Sequence, residues 1–440
     1  MKKISAIILI FLFSAALPAQ DWIRTGTGLG VEKVRLAVPD FKASSAEANT
    51  ADLLKVFNQT LWNDLDNAGI FDMVSKSFYP LAVPGSPPEI KLDAWSNPPP
   101  NAGMVAFGSL GISAQELAVQ GWLFDVKNTV SPQVLGKQYR EPATAENARL
   151  IAHRFANEII FRLGGGIPGI AESRIFFISI RSGYKEVWQM DYDGANQRQL
   201  THLQSISLSP RISPDGSRLA FTSFVRGGVD LLIYSLELGR VITFPRFSGT
   251  NISPAWSHDG SKLAFSSSMR GDPEIFVVDS AGANPRRLTA FRGPDVSPAW
   301  NPKTGAQIAW VSGRSGLPQI YTMEADGTNV QQFTTEGYAV SPAWSPNGQL
   351  LAFSWIRQYG PAAPGAQDIY IMDIASHQWV QLTHDAGRND FPSWSPDGRH
   401  LVFQSSRSGS DQIWTMLANG SKQQPLTSSG KNTQPNWSFK

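Results

Sequence analysis

A mainly β fold, a six-bladed β-propeller preceded by a small α/β domain, is predicted by a repeated phrase and its period. The phrase reads PAWSHDGSKLAFS at 254–266, PAWSPNGQLLAFS at 342–354 and PSWSPDGRHLVFQ at 392–404. Successive copies lie 44, 44, 44, 50 and 43 residues apart, and the longest interval holds an extra loop, YGPAAPGAQ. The six copies begin at Pro210, Pro254, Pro298, Pro342, Pro392 and Pro435. Such a period, with four short strands per unit, is typical of propeller blades.

Each repeat contains four short segments in which apolar and polar residues alternate, as half-buried strands require. The first is the PAWS segment, the second resembles KLAFSS (262–267), and the third resembles EIFVVD (274–279). The fourth ends in Leu-Thr or a variant, as at Leu288-Thr289. Turns of the Pro-Asp-Gly type separate them, because glycine tolerates positive φ. We therefore expect one blade per repeat.

The phase of the repeat predicts how the ring closes. The propeller region begins near Ser173 with a second-strand segment, RIFFIS, and the chain ends on a first-strand segment, QPNWSFK. We expect Pro435–Phe439 to complete the first blade, which removes two strand edges. The aromatic residue of the phrase is expected to pack between blades, the alternative being that it stacks on a ligand. These residues are Trp256, Trp300, Trp344, Trp394 and Trp437, with Ile212 in the remaining copy.

The residues before the repeats divide into two parts. Residues 1–19 have the charged start, apolar stretch and small residues of a signal peptide, the alternative being an N-terminal membrane anchor. Residues 20–165 lack the repeat, and their alternating strand and helix patterns predict an α/β domain. The strands are expected at 34–41, 71–75 and 118–126 and the helices at 51–69 and 146–163. A glycine-rich linker then leads to the propeller at 173–440.

Together, a signal peptide, a small α/β domain and a six-bladed propeller with SPDG repeats resemble the TolB family, periplasmic proteins of the Tol–Pal system. The more specific strings are MDYDGANQRQL (190–200), ITFPRFSGTNISPAWSHDGSKLAF (242–265) and PDF (39–41). The resemblance implies a monomeric periplasmic adaptor without a cofactor. It would bind the peptidoglycan-associated lipoprotein and TolA, and reach the membrane only through partners. It would thereby maintain outer-membrane integrity and support envelope constriction in cell division.

Composition and motifs argue against catalysis and against nucleic-acid binding. The chain has no Cys, which excludes thiolate chemistry. Without Lys2 and Lys3, the 38 basic residues become 36, equal to the 36 acidic ones, so no bulk charge attracts nucleic acid. No H-E-x-x-H spacing occurs, and GRSGL (313–317) lacks the second Gly of a nucleophile elbow. Two alternatives stay open: a propeller that binds a small ligand or ion, and a propeller that gates a hydrolase.

One arginine per blade follows the second strand, so the six are expected to share one face. These are Arg181, Arg226, Arg270, Arg314, Arg357 and Arg407. They form either a rim that attracts an acidic partner or pairs within their own loops. The spacing favours pairing with acidic residues four or five positions later, namely Glu186, Asp230, Glu274 and Asp411.

The loops before the PAWS strands vary between blades and are the candidate lipoprotein site. FPRFSGTN (244–251) combines Phe244, Arg246 and Phe247, residue types that are frequent interface hot spots. The resemblance assigns a role by position to Phe247, Thr250 and Val296. Asp295, which precedes Val296, is taken with them as a candidate lipoprotein contact. The alternative is that the two phenylalanines only fill the gap between blades.

The resemblance places TolA binding in the segment 21–32, DWIRTGTGLGVE. Three Gly and two Thr argue against stable structure in this segment on its own. Trp22 and Ile23 would supply apolar anchors, with Arg24 beside them. Such an extended segment can add a strand to the edge of a partner's sheet, although an unstructured tail without a role is the alternative.

Overall fold

The computed structural model describes residues 32–356, 367–384 and 386–439. The expected signal peptide, the anchors Trp22, Ile23 and Arg24, and the rim residue Arg357 lie outside the described residues. Within them, an α/β domain precedes a ring of six four-stranded sheets, so the predicted fold class is confirmed. None of the helices in these ranges has the length and apolar character needed to cross a membrane.

The N-terminal domain is built on one mixed sheet with the order β3-β1-β4-β5-β6, in which β2 also pairs with β4. Its strands are β1 (Val34–Ala37), β2 (Lys42–Ala43), β3 (Phe71–Met73), β4 (Met104–Ser113), β5 (Glu116–Asp125) and β6 (Gln133–Pro142). Its helices are α1 (Thr50–Asn67), α2 (Leu92–Ser96) and α3 (Ala145–Leu163), with short 3-10 helices at Lys76–Phe78 and Pro87–Glu89. The two long helices and three strands were expected from the sequence, whereas β2, β4, β6 and α2 were not.

The core of this domain lies on both faces of the sheet. Helices α1 and α3 bury apolar side chains at helical spacing, including Phe57, Leu61 and Phe155, against one face. Trp95 of α2 packs with Phe107 and other strand residues on the opposite face. Burial of these side chains supplies most of the driving force for folding.

Each propeller blade is a four-stranded antiparallel sheet. Blade 1 consists of β30 (Asn432–Trp437), β7 (Arg174–Ser179), β8 (Glu186–Asp191) and β9 (Arg198–Gln199). Blade 2 consists of β10 (Ser207–Ile212), β11 (Arg218–Ser223), β12 (Asp230–Ser235) and β13 (Arg240–Ile242). Blade 3 consists of β14 (Asn251–Trp256), β15 (Lys262–Ser267), β16 (Glu274–Asp279) and β17 (Arg286–Arg287).

The other three blades repeat this plan. Blade 4 consists of β18 (Asp295–Trp300), β19 (Gln307–Ser312), β20 (Gln319–Glu324) and β21 (Gln331–Gln332). Blade 5 consists of β22 (Tyr338–Trp344), β23 (Leu350–Ile356), β24 (Asp368–Asp373) and β25 (Trp379–Gln381). Blade 6 consists of β26 (Asn389–Trp394), β27 (His400–Ser405), β28 (Gln412–Leu417) and β29 (Gln424–Pro425).

The repeated PAWS phrase is architectural, as expected. Its tryptophans are buried, and the indole Nε1 of Trp256 donates a hydrogen bond of 3.0 Å to the carbonyl of Arg211 in the preceding blade. Trp344 and Trp394 make the same 3.0 Å bond to the blade before each of them. Each such indole therefore joins two neighbouring blades, while its ring fills the space between them.

The other repeated residues close turns. In blade 3 the carboxylate of Asp259 accepts hydrogen bonds from the Ser257 hydroxyl at 2.6 Å and from the backbone N–H of Ser261 at 3.0 Å. These bonds hold the pKa of Asp259 well below its usual range. The hydroxyl of Thr289 accepts from the N–H of Ile275 at 2.9 Å. The Leu-Thr pair thus follows the fourth strand and does not end it, which corrects the expected boundary.

Blade 6 supplies hydrogen-bond donors to the carboxyl ends of both long helices of the N-terminal domain. Arg399 Nη2 donates to the carbonyl of Gly164, just after α3, at 2.8 Å, and His400 Nε2 donates to the carbonyl of Asn67, the last residue of α1, also at 2.8 Å. Lys422 Nζ lies 2.5 Å from another carbonyl in the last turn of α1. Carbonyls at a helix end have no partner within the helix and carry partial negative charge. The propeller therefore caps the two helices.

Blade 1 completes the junction between the two domains with a buried polar cluster. The carboxylate of Asp64 is hydrogen-bonded to His153 Nδ1 at 2.7 Å and accepts a hydrogen bond from the Tyr192 hydroxyl. Burial raises the pKa of Asp64, although both hydrogen bonds act in the opposite direction. Arg149 Nη2 lies 2.7 Å from both carboxylate oxygens of Asp193. The contacts from blades 1 and 6 place the N-terminal domain on one face of the ring.

Candidate functional site

The face of the propeller opposite the N-terminal domain carries two sets of loops, and we call it the distal face. It consists of the connections between second and third strands and the loops that precede each first strand. These loops touch, since Ser268 N–H donates to the carbonyl of Thr250 at 3.0 Å and Gly313 N–H donates to that of Pro294 at 2.9 Å. Among the loops that the structure describes, the expectation that the arginine-bearing loops and the loops before the PAWS strands share a face is confirmed.

The arginines of the expected rim fall into two groups. In three of them the guanidinium is half-buried and stacks on an aromatic ring of the third strand of its blade. Arg181 lies 4.2 Å from the ring centre of Trp188, Arg314 lies 4.9 Å from that of Tyr321, and Arg407 lies 4.6 Å from that of Trp414. These three stabilise their own blades by cation–π contacts and by hydrogen bonds to the serine that ends the second strand.

Arg226 and Arg270 are exposed on the distal face. They lie one position further from the second strand than the stacked arginines. Val225 and Met269 occupy the position of the stacked arginines, and the backbone N–H of each bonds to the serine that ends the second strand. Of the expected rim, these two described residues are therefore the ones that present their charge to solvent.

The expected pairing of the arginines with acidic residues of their own loops is corrected by the structure. Asp230 lies 3.2 Å from Arg246, Glu274 lies 2.6 Å from Arg287, and Asp411 lies 3.0 Å from Lys431. Glu186 accepts hydrogen bonds from the Thr201 hydroxyl and from the N–H of Gln204. The acidic residues thus hold the following loop, because the start of a third strand faces the loop that leaves its blade.

The loop FPRFSGTN combines a buried base with exposed polar residues. Phe244 is 4% exposed, and its ring meets Phe247 edge to face at 6.1 Å between centres. Phe247 is half-buried and stacks on the core ring of Phe265 at 5.2 Å. Arg246 keeps 56% of its side chain exposed while it contacts Asp230, and Thr250 is exposed. One edge of Phe247, the guanidinium of Arg246 and Thr250 are thus accessible to a partner, with Phe244 as their support.

In the next loop, Asp295 is buried and lies 2.9 Å from Arg314, so the structure joins two residues that sequence reasoning had placed in separate sets. Val296, beside it, is half-buried at the start of β18. The ion pair between Asp295 and Arg314 anchors the loop to its own blade. Val296 is the neighbouring residue that a partner can reach.

Sequence reasoning missed the apolar character of the distal face. Among the described residues of the propeller, ten large apolar side chains are exposed, and seven of them lie on this face. The seven are Ile180, Tyr184, Ile206, Phe224, Val225, Phe291 and Leu317. Five of them belong to blades 1 and 2, where the N–H of Phe224 donates to the carbonyl of Ile206. Apolar side chains concentrated on one face indicate an interaction surface.

The central channel is lined by the first strands of the six blades and encloses a cavity of about 140 Å³. Its walls are mostly Trp, Pro, Ala and Ser side chains, with Arg211 projecting from blade 2. In the part of the chain that the structure describes, no three His, Asp or Glu side chains are grouped so as to hold a metal ion. The channel is therefore a small space, and its described lining holds one cationic group, Arg211.

Comparison with known proteins relates this chain to a family. A family model described as the TolB beta propeller domain matches residues 162–358 and 335–440. A protein TolB homolog of Chlorobium chlorochromatii is 40% identical over 135 residues, which cover 31% of this chain and 30% of that protein. A Tol-Pal system protein TolB of Cereibacter sphaeroides is 33% identical over 244 residues, which cover 53% of this chain and 52% of that protein.

The crystal structure of TolB from Acinetobacter baumannii has a similar fold. It superposes with a TM-score of 0.76 at 23% identity and covers 93% of this chain and 97% of that chain. In sequence, however, this chain spans about half the length, or less, of the curated relatives it matches. The likeness over the whole length is thus one of fold.

Proposed function

The chain belongs to the TolB β-propeller family, and from that premise we propose that it is a non-catalytic periplasmic adaptor of the Tol–Pal system. In this role the monomeric protein binds the peptidoglycan-associated lipoprotein through the propeller and TolA through the segment before the N-terminal domain. It thereby maintains outer-membrane integrity and supports envelope constriction in cell division. Relatives that carry the name Tol-Pal system protein TolB support the assignment to this system.

The distal face is the observation that carries the proposal of a binding protein. The N-terminal domain occupies the opposite face of the ring, through Arg399, His400 and Tyr192. The distal face holds most of the exposed apolar side chains of the described propeller and presents Arg226 and Arg270. Apolar and arginine side chains on one accessible surface suit a protein partner.

We place the lipoprotein on this face, over the loop 244–251 and the loop that ends at Val296. The exposed members are Arg246, the free edge of Phe247 and Thr250. Phe244 and Asp295 hold the two loops in shape because they are buried against their own blades. An anchor that is fixed before binding loses little conformational entropy when the partner docks.

Replacement of Phe247 by Ala should weaken lipoprotein binding by more than about 1 kcal/mol. The substitution removes the exposed edge that the partner contacts, and it also removes the stacking on Phe265, so the melting temperature should fall as well. Calorimetric titration well below the melting temperature measures the affinity of the folded protein alone. Phe244→Ala is the matched control. Loss of this buried ring should lower the free energy of unfolding more than loss of Phe247 does, and should change the affinity for the lipoprotein less. An unchanged affinity of folded Phe247→Ala would assign Phe247 to packing only.

Removal of residues 21–32 should abolish TolA binding and leave the propeller folded. The segment holds two apolar anchors, Trp22 and Ile23, among glycines, which suits an extended strand added to a partner's sheet. A pull-down with TolA, run beside a thermal melt of the same variant, separates loss of binding from loss of folding. The pair Trp22→Ala and Ile23→Ala in the full chain should reproduce the loss. Retained TolA binding by the truncated protein would overturn the assignment.

A further inference from the structure

Arg211 breaks the symmetry of the channel. The pairing register places it opposite Ala220 in the neighbouring strand, as it places Ala255 opposite Ala264 and Ala299 opposite Ala309. The equivalent residues of the other blades are Ala255, Ala299, Ala343, Ser393 and Asn436. Five blades thus form with a small or neutral side chain at this position. Packing of blade 2 does not require an arginine there.

No carboxylate of a described residue lines the channel opposite the guanidinium of Arg211. Among the described residues that line the cavity, it is the one ionisable side chain. Its Nη1 donates a 2.9 Å hydrogen bond to the carbonyl of the adjacent Pro210. The carboxylate of Asp390, in the first strand of blade 6, accepts hydrogen bonds from the hydroxyls of Ser341 and Ser354, and Asp390 is not among the described lining residues.

The channel leaves Arg211 charged at neutral pH. Burial lowers the pKa of the guanidinium to about 10, which is still well above neutrality. The guanidinium of Arg211 is partly desolvated, because apolar lining residues such as Trp256 and Pro254 surround it. A permanent charge in such surroundings interacts strongly with an anion of matching shape.

We propose that the channel binds a carboxylate group, held by the guanidinium of Arg211. A planar carboxylate accepts two parallel hydrogen bonds from a guanidinium, and its single negative charge equals the one positive charge present. The cavity of about 140 Å³ admits a short carboxylate, and the hydroxyls of Ser209 and Ser253 lie on the same lining. The apolar walls suit a short alkyl chain attached to that group. This site is separate from the proposed lipoprotein loops and does not depend on them.

Titration with sodium butyrate at constant ionic strength tests the site, with the fluorescence of the tryptophans that line the channel as readout. The natural protein should show a saturable change, and Arg211→Ala should weaken it by at least about tenfold, because the bidentate charged contact is lost. The alanine is the residue that three other blades carry, so this variant should fold. Butyramide, which has the same shape without charge, should give no saturable change. Arg226→Ala, an exposed arginine outside the channel, should bind butyrate as the natural protein does.

Two results would overturn the proposal. One is a natural protein that responds to butyrate no more than to chloride, and the other is an Arg211→Ala variant that binds butyrate within about twofold of the natural protein. If that variant fails to fold, Arg211→Gln keeps the volume without the charge and replaces it. Lipoprotein titration of the folded variant then identifies the source of the carboxylate. A parallel loss of lipoprotein affinity assigns it to the partner, and an unchanged affinity assigns it to a free anion.

Discussion

Deletion of Pro435–Lys440 should lower the melting temperature of the propeller by about 10 °C or more, the largest change we expect from any truncation or substitution. The deletion removes the second half of β30, which pairs with β7 from Asn432 opposite Ser179 to Trp437 opposite Ile175. Loss of a buried tryptophan alone costs about 3–5 kcal/mol. In a domain of this size, each kcal/mol corresponds to about 2–4 °C.

The deletion acts on three blades at once, which is why its effect should exceed that of a core substitution. Trp437 is 2% exposed, and its indole donates a 2.8 Å hydrogen bond to the hydroxyl of Ser173. Asn436 accepts from the N–H of Ile212 in blade 2 at 2.9 Å and contacts Ser393 in blade 6 at 3.3 Å. Removing this strand exposes an unpaired edge of β7 and opens the ring.

Truncation after Ser438 is the matched control for this experiment. It removes Phe439, which is 41% exposed, and leaves β30 complete. Thermal melts of the two truncated proteins should therefore differ widely. Equal melting temperatures for the natural protein and the longer deletion would contradict closure of the ring through the C-terminus.

The propeller fold could be predicted from the sequence because one phrase recurs and each copy packs in the same way between two blades. The Trp of the phrase must fill the space between two blades, and the Asp-Gly turn must leave the first strand at a fixed angle. Because the phrase recurs six times, an ambiguous strand pattern in one copy could be resolved from the others. The number of blades and the closing strand could therefore be predicted from the spacing alone. The N-terminal domain has no such repetition, and three of its strands were missed: the short β2 and the long β4 and β6.

Glycines explain why β4 and β6 were missed. Glycine disfavours strands by propensity, yet a close approach of other groups requires it here. A Cβ on Gly108 of β4 would lie 2.0 Å from the carbonyl oxygen of Gln120 and 2.4 Å from the ring of Phe41. A Cβ on Gly136 of β6 would lie 3.1 Å from the ring of Trp122. The tertiary contacts that exclude a side chain at Gly108 and crowd one at Gly136 are not visible in the local sequence.

The arginines of the distal face show a similar limit. Treated as one set, they were expected to pair with nearby acids, but Arg181, Arg314 and Arg407 stack on rings instead. A signal was available, since an aromatic residue of the third strand follows each of these three by seven positions. Arg226 and Arg270 are followed at that distance by Ile233 and Val277. Comparing residues across the hairpin separates stacked from exposed arginines, whereas counting charges does not.

Contacts between the domains were beyond the sequence altogether, and those from blade 6 join residues more than two hundred positions apart. Arg399 shows this. In blades 2 and 3 the same turn position holds Ser217 and Ser261, whose hydroxyls bond to the aspartate of the turn. In blade 6 the position holds an arginine that is 0% exposed and reaches the carbonyl of Gly164. The turn itself is formed by neighbouring residues, but the side chain of Arg399 contacts a residue of the other domain.

Replacement of Arg399 by Ser should therefore release the N-terminal domain from the propeller without breaking the blade. The serine restores the residue that blades 2 and 3 use in this turn. The losses include the 2.8 Å hydrogen bond to Gly164 and the charge that lies 3.7 Å from the buried carboxylate of Asp397. Leaving a buried charge and a helix-end carbonyl without this partner costs about 3–5 kcal/mol. We expect calorimetry to resolve two unfolding transitions, with the N-terminal domain melting first.

Lys422→Ala is the control for this experiment, because Lys422 also reaches the end of α1 from blade 6 but keeps 34% of its side chain exposed. Exposed ion pairs contribute about 0–1 kcal/mol, so this variant should unfold as the natural protein does. Limited proteolysis of the Gly164–Ser173 linker provides a second readout, since a released domain exposes it. If Arg399→Ser and Lys422→Ala gave the same small change and an intact linker, the domains would be held by the blade 1 contacts of Asp64 and Arg149 instead.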